Sequence, residues 1–202
     1  MFRRLLVHVG ALVLLLTSNV DAEIPTDFLM NVDPEFRALD QIRDFKRDFK
    51  GLWLQALQRP EIDYQRKAAE TVARAHEYGI PDLIELVPAL ESILTRPESH
   101  PSARFAAARA LIVLESRDSA AKLLDAGLNH GAQLRQLVEP ALARWNFSPA
   151  ASVWHKRIAD PRTLPRDLIL ALRGLGQIRD TAASPIATSI ALDILRPDHI
   201  RL

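Results

Sequence analysis

Residues that could carry catalysis are sparse in this chain and far apart. None of the six histidines lies three or four positions from another, so no helix could present two of them to one zinc ion. The chain has no cysteine, which excludes disulfides, thiolate metal sites and cysteine nucleophiles. It also has no Gly-x-Ser-x-Gly elbow and no glycine-rich phosphate loop. These absences predict a protein that is not an enzyme, with no catalytic, metal-binding or cofactor-binding residue.

Four arginines recur at the same place in a helical pattern. They are Arg66, Arg104, Arg135 and Arg166, with spacings of 38, 31 and 31 residues. Their guanidinium groups could form a ladder that binds an acidic partner. An internal contact, however, recurs in every repeat, because each unit must pack against its neighbour in the same way. We therefore expect a structural role, in which each arginine pairs with a carboxylate or an unpaired helix carbonyl of the adjacent unit.

A second phrase recurs two periods of 31 residues apart. Arg117-Asp118-Ser119-Ala120-Ala121 is matched, 62 residues later, by Arg179-Asp180-Thr181-Ala182-Ala183. Asp118 and Asp180 are typical N-cap residues, so each should begin the second helix of a unit. No alternating apolar pattern or hairpin turn predicts a strand, so the fold class is all-α. The predicted helix pairs are 62–78 with 81–95, 101–116 with 118–128, 132–145 with 149–158, and 165–178 with 181–195.

The chain from about residue 60 to 195 resembles HEAT-like repeats, in the short form of the bilin-lyase-type subgroup. The second unit matches best, with Pro101, Arg104, Ala107-Ala108, Ala110-Leu111 and Leu114 in the first helix and Ala120 and Leu123-Leu124 in the second. The resemblance implies an α-solenoid of about four stacked antiparallel helix pairs. It also implies a surface that holds other proteins, whereas a minority of such proteins act on a tetrapyrrole.

Two further segments precede the repeats. Residues 1–22 have a basic start, a 12-residue apolar run and the small residues of a cleavage site, which predicts a secretory signal peptide. Whether this signal is cleaved or retained as an anchor stays open. Residues 23–59 contain a long amphipathic pattern from Asp33 to Leu57, with a mixed-charge outer face, which predicts a helix that caps the domain. The predicted domains are therefore 1–22, 23–59 and 60–202.

Charge and compartment limit the function further. The 26 basic and 25 acidic residues nearly cancel, which argues against a nucleic-acid partner. We predict an exported protein, periplasmic or extracellular, with no membrane span once the signal is removed. Its function would be that of a scaffold that binds a protein partner; the alternative is a tetrapyrrole lyase-like or chromophore-handling protein. The second helices should make the partner contacts, through Lys122, Asp125, His155 and Lys156.

Three prolines, Pro88, Pro140 and Pro185, fall within predicted helices and should kink them.

The end of the chain resembles the start of another unit. The last helix carries apolar residues, including Ile190 and Leu195, that a polar capping repeat would normally cover. We expect either that the chain is a truncated form of a longer solenoid or that the uncapped last repeat associates with a partner or a second copy.

Overall fold

The computed structural model describes residues 49–195 and 198–201, and within them it contains helices and no strand. The α-helices are α1 (Phe49–Gln58), α2 (Ile62–Glu77), α3 (Val87–Thr95), α4 (Pro101–Val113), α5 (Ala120–Asn129), α6 (Ala132–Arg144), α7 (Ser148–Ala159), α8 (Pro165–Gln177), α9 (Ser184–Leu192) and α10 (Asp198–Arg201). The all-α prediction is therefore confirmed for the described residues. We call α2, α4, α6 and α8 the first helices of the predicted units and α3, α5, α7 and α9 the second helices.

The first helices all end in the same local structure. The residue after each C-cap is left-handed, with φ angles of 77°, 51°, 54° and 56° at Gly79, Glu115, Asn146 and Arg179. The N–H group of the next residue then bonds to a carbonyl five positions back, as from Ser116 to Leu111 at 3.0 Å. This bond defines a Schellman motif, which satisfies carbonyls that the end of a helix would otherwise leave unpaired. A common backbone turn therefore follows each of these four helices.

Short 3-10 turns connect the first helix to the second in three of the four units. They span Leu83–Leu86, Arg117–Ser119 and Thr181–Ala183, and each leads directly into a second helix. Pro88 and Pro185 consequently lie in the first turn of α3 and α9, where a proline needs no helical partner for its nitrogen. The prediction that these two prolines lie in the interior of their helices and kink them was wrong, because each lies at the start of its helix. Pro140 does lie inside α6.

Close packing joins each unit to the next. The second helices α3, α5 and α7 pack against the first helices α4, α6 and α8 of the following units, and α2 also packs against α4. Small residues allow this approach. A Cβ atom at Gly127 of α5 would lie 3.6 Å from the Cα of Arg135 in α6, and alanines such as Ala69 and Ala107 are fully buried. The close pairs α3–α4, α5–α6 and α7–α8 are therefore offset by one helix from the pairs that the sequence predicted.

The hydrophobic core runs through all of these helix pairs. Its largest fully buried apolar side chains are Leu57, Val72, Leu90, Ile93, Leu94, Leu111, Leu123, Val138, Leu142, Trp154 and Leu175. Removing a leucine or isoleucine side chain of this size from water contributes about 1.5–3 kcal/mol. The core thus draws on every helix from α1 to α8.

The two ends of the described chain differ from the repeats. Of the predicted amphipathic helix, residues from 49 onward form α1, in which Leu57 is buried; residues 33–48 and the predicted signal 1–22 lie outside the described residues. At the other end Ile190 is buried, but Leu192 and Leu195 are 74% and 90% exposed. Within the described ranges, no helix is both long and apolar enough to cross a membrane.

Candidate functional site

A groove of about 790 Å³ runs across the first helices α2, α4 and α6. We call it the first groove. It is lined by Arg66, Glu70, His100, Pro101, Ser102, Arg104, Phe105, Ala106, Arg109, His130, Gln133, Leu134, Gln136 and Leu137. Its residues come from three successive units, so the groove exists only because those units pack side by side.

A second groove, of about 570 Å³, continues onto the next first helix. It is lined by Gln136, Pro140, Pro165, Arg166, Ile169, Leu170 and Arg173. Gln136 of α6 lines both grooves, so they share one wall. Together they form a polar and apolar surface on the first helices from α2 to α8, whereas the sequence predicted that the second helices would bind the partner.

The four recurrent arginines of the sequence have different roles in the structure. Arg104 is 4% exposed, and its guanidinium donates to the carbonyls of Leu94, Arg96 and Pro97 at 3.1, 2.7 and 3.2 Å. Burial lowers the pKa of the Arg104 guanidinium. These carbonyls lie at the C-terminal end of α3, so Arg104 caps the helix of the preceding unit.

Arg135 also connects neighbouring units. It donates to Asp167 of α8 at 2.5 Å and to the carbonyl of Gly127 in α5 at 3.4 Å. Like Arg104, it therefore contacts a carbonyl near the end of a preceding helix. Both arginines therefore contact the preceding unit, as a residue with a repeated structural role would.

Arg66 and Arg166 do not make such contacts among the described residues. Arg66 pairs within its own helix, with Asp63 at 3.2 Å and Glu70 at 3.0 Å. Arg166 is exposed and lines the second groove. At these two positions the expected contact with the adjacent unit is absent among the described residues.

The two predicted N-cap aspartates also differ from each other. Asp180 accepts from the N–H group of Ala182 at 2.9 Å and so caps the 3-10 turn that precedes α9. Asp118 lies exposed within the corresponding turn, where Ser116 occupies the N-cap position. The predicted capping role of Asp118 was therefore wrong, since the N-cap of the turn lies two residues earlier, at Ser116.

Two of the four predicted partner-binding residues, both on second helices, form links to the neighbouring unit. Lys122 of α5 donates to Glu91 of α3 at 2.6 Å, and the Ser119 hydroxyl donates to the same carboxylate at 2.8 Å. Burial opposes the ionisation of Glu91, but these two hydrogen bonds outweigh it and hold the pKa of Glu91 below its ordinary value. His155 lies 2.8 Å from Asp180, and its hydrogen bond lowers the pKa of that carboxyl.

The other two residues make no contact between units among the described residues. Asp125 accepts from Asn129 one turn later on the same helix, at 2.9 Å. Lys156 is exposed on α7. The structure does not bring the four predicted residues together into one site, because Lys122 and His155 are already bound by carboxylates of their neighbours.

A buried ion pair lies within the third unit, between its helices α6 and α7. The side chain of Glu139 in α6 is 2% exposed, and it accepts from Arg157 at 2.6 Å and from the Trp154 indole at 3.0 Å. Burial raises the pKa of Glu139, although Arg157 and Trp154 act in the opposite direction. A Cβ atom at Gly174 of α8 would lie only 2.8 Å from the Trp154 ring, so the indole is held between α6 and α8.

Sequence reasoning singled out the arginines but missed the glutamates that join the units. Glu91 contacts Lys122, and Glu115 contacts Arg144 at 2.8 Å and the Trp145 indole at 2.5 Å. In each case the partner lies 29 to 31 residues further along the chain. A search for opposite charges separated by one repeat period would have found these pairs, since equivalent positions of adjacent units lie side by side.

Compared with protein-family models and with curated proteins, the chain gives no match. No group of histidines, aspartates or glutamates in the described ranges is arranged to hold a metal ion. The grooves on the first helices are thus the feature of the structure from which a function can be argued.

Proposed function

We propose that this chain is a non-enzymatic protein-binding module built from HEAT-like repeats and exported by an N-terminal signal peptide. The observation that carries the proposal is the pair of grooves formed by three or more successive first helices. A groove of this kind presents side chains from several units to one extended partner, which is how repeat proteins generally use their surfaces.

The packing supports the repeat architecture of the proposal. First helices contact one another in the order α2, α4, α6 and α8, and each of α3, α5 and α7 contacts the first helix that follows it. Contacts made mainly between neighbouring units are typical of an α-solenoid and so support this architecture. The four Schellman turns and the charge pairs one period apart are further support for units of about 31 residues.

The proposal is tested by affinity capture of the tagged chain from the envelope fraction of its own host. We expect a protein that co-purifies in a fixed ratio and is identified by mass spectrometry. A double variant of the grooves, Arg109→Gln with Arg173→Gln, should lose this partner. A matched variant of the second helices, Lys122→Gln with Lys156→Gln, should retain it.

Two results would count against the proposal. One is a preparation that carries no protein partner but absorbs visible light, which would favour the tetrapyrrole alternative. The other is a partner that still binds the groove variant but no longer binds the second-helix variant. That result would place the interface on the second helices, as the sequence suggested. The mass of the purified chain tests export separately, since cleavage after Ala22 leaves Glu23 as the first residue.

A further inference from the structure

We infer that the two grooves bind an acidic, partly apolar peptide segment of a partner protein. This inference rests on the proposed protein-binding function and names the class of partner. It is argued from the charges that line the grooves, from the apolar side chains between them, and from the contrast with the second helices.

In the part of the chain that the structure describes, the charged groove residues that have no ion-pair partner are all arginines. Five arginines and one glutamate line the grooves in the part of the chain that the structure describes. The glutamate, Glu70, is already paired with Arg66, and Arg104 is bound to backbone carbonyls. The other three, Arg109, Arg166 and Arg173, are exposed and take no ion pair among the described residues. Unpaired guanidinium groups favour carboxylate partners, which they bind through two parallel hydrogen bonds.

Apolar side chains lie beside these arginines. Phe105 of α4 lines the first groove and is 37% exposed, although most aromatic side chains of a folded chain are more deeply buried. Half-buried Leu137 lines the same groove, and half-buried Ile169 and Leu170 line the second. A ligand that only carried negative charge would leave this surface uncovered, whereas a peptide with leucine or phenylalanine beside its acidic residues would cover it.

Charge balance favours a peptide over a nucleic acid. The formal net charge of the whole chain is only +1, while a protein that tracks a phosphate backbone needs a broad basic excess. The grooves supply a few separate guanidinium groups and glutamine side chains such as Gln133 and Gln136. This arrangement suits a few carboxylates and backbone amides of an extended peptide.

The experiment measures binding of a fluorescein-labelled peptide of about 12 residues, about 40 Å long when extended, in which glutamate alternates with leucine and phenylalanine. Fluorescence anisotropy reports the affinity for the purified full chain. We expect a control peptide with glutamine at every glutamate to bind much more weakly. We also expect affinity for the acidic peptide to fall as salt is raised, because exposed charge pairs are screened.

Variants locate the peptide on the surface. Arg109→Gln and Arg173→Gln should each weaken binding about fivefold, and the double variant about 25-fold, if the two sites act independently. Phe105→Ser should weaken binding of the acidic peptide without making it less dependent on salt. Lys156→Gln, which removes an exposed charge from a second helix, should leave the affinity unchanged. Circular dichroism of each variant verifies that its helices are intact.

Three outcomes would overturn the inference. The acidic peptide does not bind, or Lys156→Gln weakens it as much as Arg109→Gln, or a single-stranded oligonucleotide of similar length binds more tightly than the peptide and depends on the same arginines. The proposed function fails separately. A protein captured from the envelope that requires the groove residues would uphold that function even where the acidic peptide does not bind.

Discussion

The grooves on the first helices and the links between the second helices use charged residues in opposite ways. On the first helices Arg109 and Arg173 are exposed and have no ion-pair partner among the described residues. On the second helices Lys122 and His155 are held at 2.6 and 2.8 Å by acidic residues of neighbouring units. Charged residues on an amphipathic helix therefore have two different roles here, and the neighbouring unit determines which role each one has.

This contrast extends to the interior. Glu139 belongs to a first helix and points toward the second helix of its own unit, where Arg157 and Trp154 bind it. Removing the partner of such a buried group should lower stability, while an unpaired group at the surface would act in recognition under the proposed function. The two kinds of residue can be separated by measuring unfolding and binding on the same variants.

Removing the partner of the buried carboxylate should have the largest effect. Arg157→Ala leaves Glu139 charged and buried, and we expect it to lower the free energy of unfolding by about 3–5 kcal/mol. Urea unfolding at neutral pH gives this value. Arg162→Ala, which removes an exposed arginine from the loop before α8, serves as the control and should change stability by less than about 0.5 kcal/mol.

The pH dependence of this variant has a definite sign. The folded-state pKa of Glu139 is raised above its ordinary value of 4.5, so at pH values between these two pKa values the folded chain binds more protons than the unfolded chain. Stability therefore falls as pH rises through that raised pKa and recovers as pH is lowered. The cost of Arg157→Ala should shrink between neutral pH and about pH 5. A cost that is independent of pH would show that the loss comes from packing and not from an unpaired carboxylate.

Two glycines of α8 should respond in opposite directions to the same substitution. Gly174→Ala places a methyl group 2.8 Å from the Trp154 ring and should destabilise the chain by about 1–3 kcal/mol. Gly176→Ala meets nothing within 4 Å and should stabilise it by about 0.5–1 kcal/mol, because alanine favours the helix. Thermal unfolding of both variants measures the difference. Equal effects would contradict the close approach of α7 and α8.

Breaking a link between second helices should have a smaller effect on stability and none on binding. Lys122→Met removes a pair that is half exposed on the lysine side, so we expect a loss of at most about 1 kcal/mol. Affinity for the acidic peptide should not change. The pKa of Glu91 is lowered in the folded chain, so the contribution of the pair is present above the ordinary value of 4.5 and is lost as pH falls through the lowered pKa. The unfolding curves of Lys122→Met and of the unsubstituted chain should therefore converge at acidic pH.

The smallest effects are expected at the left-handed turn positions. Arg179 is exposed with a φ of 56°, so Arg179→Gly should stabilise the chain by about 0.5–1 kcal/mol. Glu115 has a similar φ of 51°, but Glu115→Gly also removes the acceptor of Arg144 and Trp145. The gain in stability expected from glycine should therefore be cancelled or reversed in Glu115→Gly. Denaturant midpoints of the two variants, compared at equal slope, test this difference.

Helical periodicity was sufficient to predict most of the fold. The spacing of apolar residues predicted helices close to the observed α2 and α4 to α8, because an amphipathic stripe must face a core in any packing of helices. The positions of Pro88 and Pro185 were misjudged, since the 3-10 turns before α3 and α9 were predicted as the first residues of those helices. The Schellman turns at Glu115 and Arg179 were not predictable from residue type, because neither glycine nor asparagine occupies the left-handed position there.

The sequence by itself determined the helical class, the period of about 31 residues and the positions of Arg104 and Arg135 as recurrent contacts, because these follow from local chemistry and its repetition. The tertiary structure decided which helices approach most closely and which charges remain free. Arg109 and Lys122 are both exposed basic residues on helices of the same unit, yet one lines a groove and the other is bound by Glu91. That difference arises from the neighbouring unit, which lies about one repeat away in the chain and is brought close only by packing.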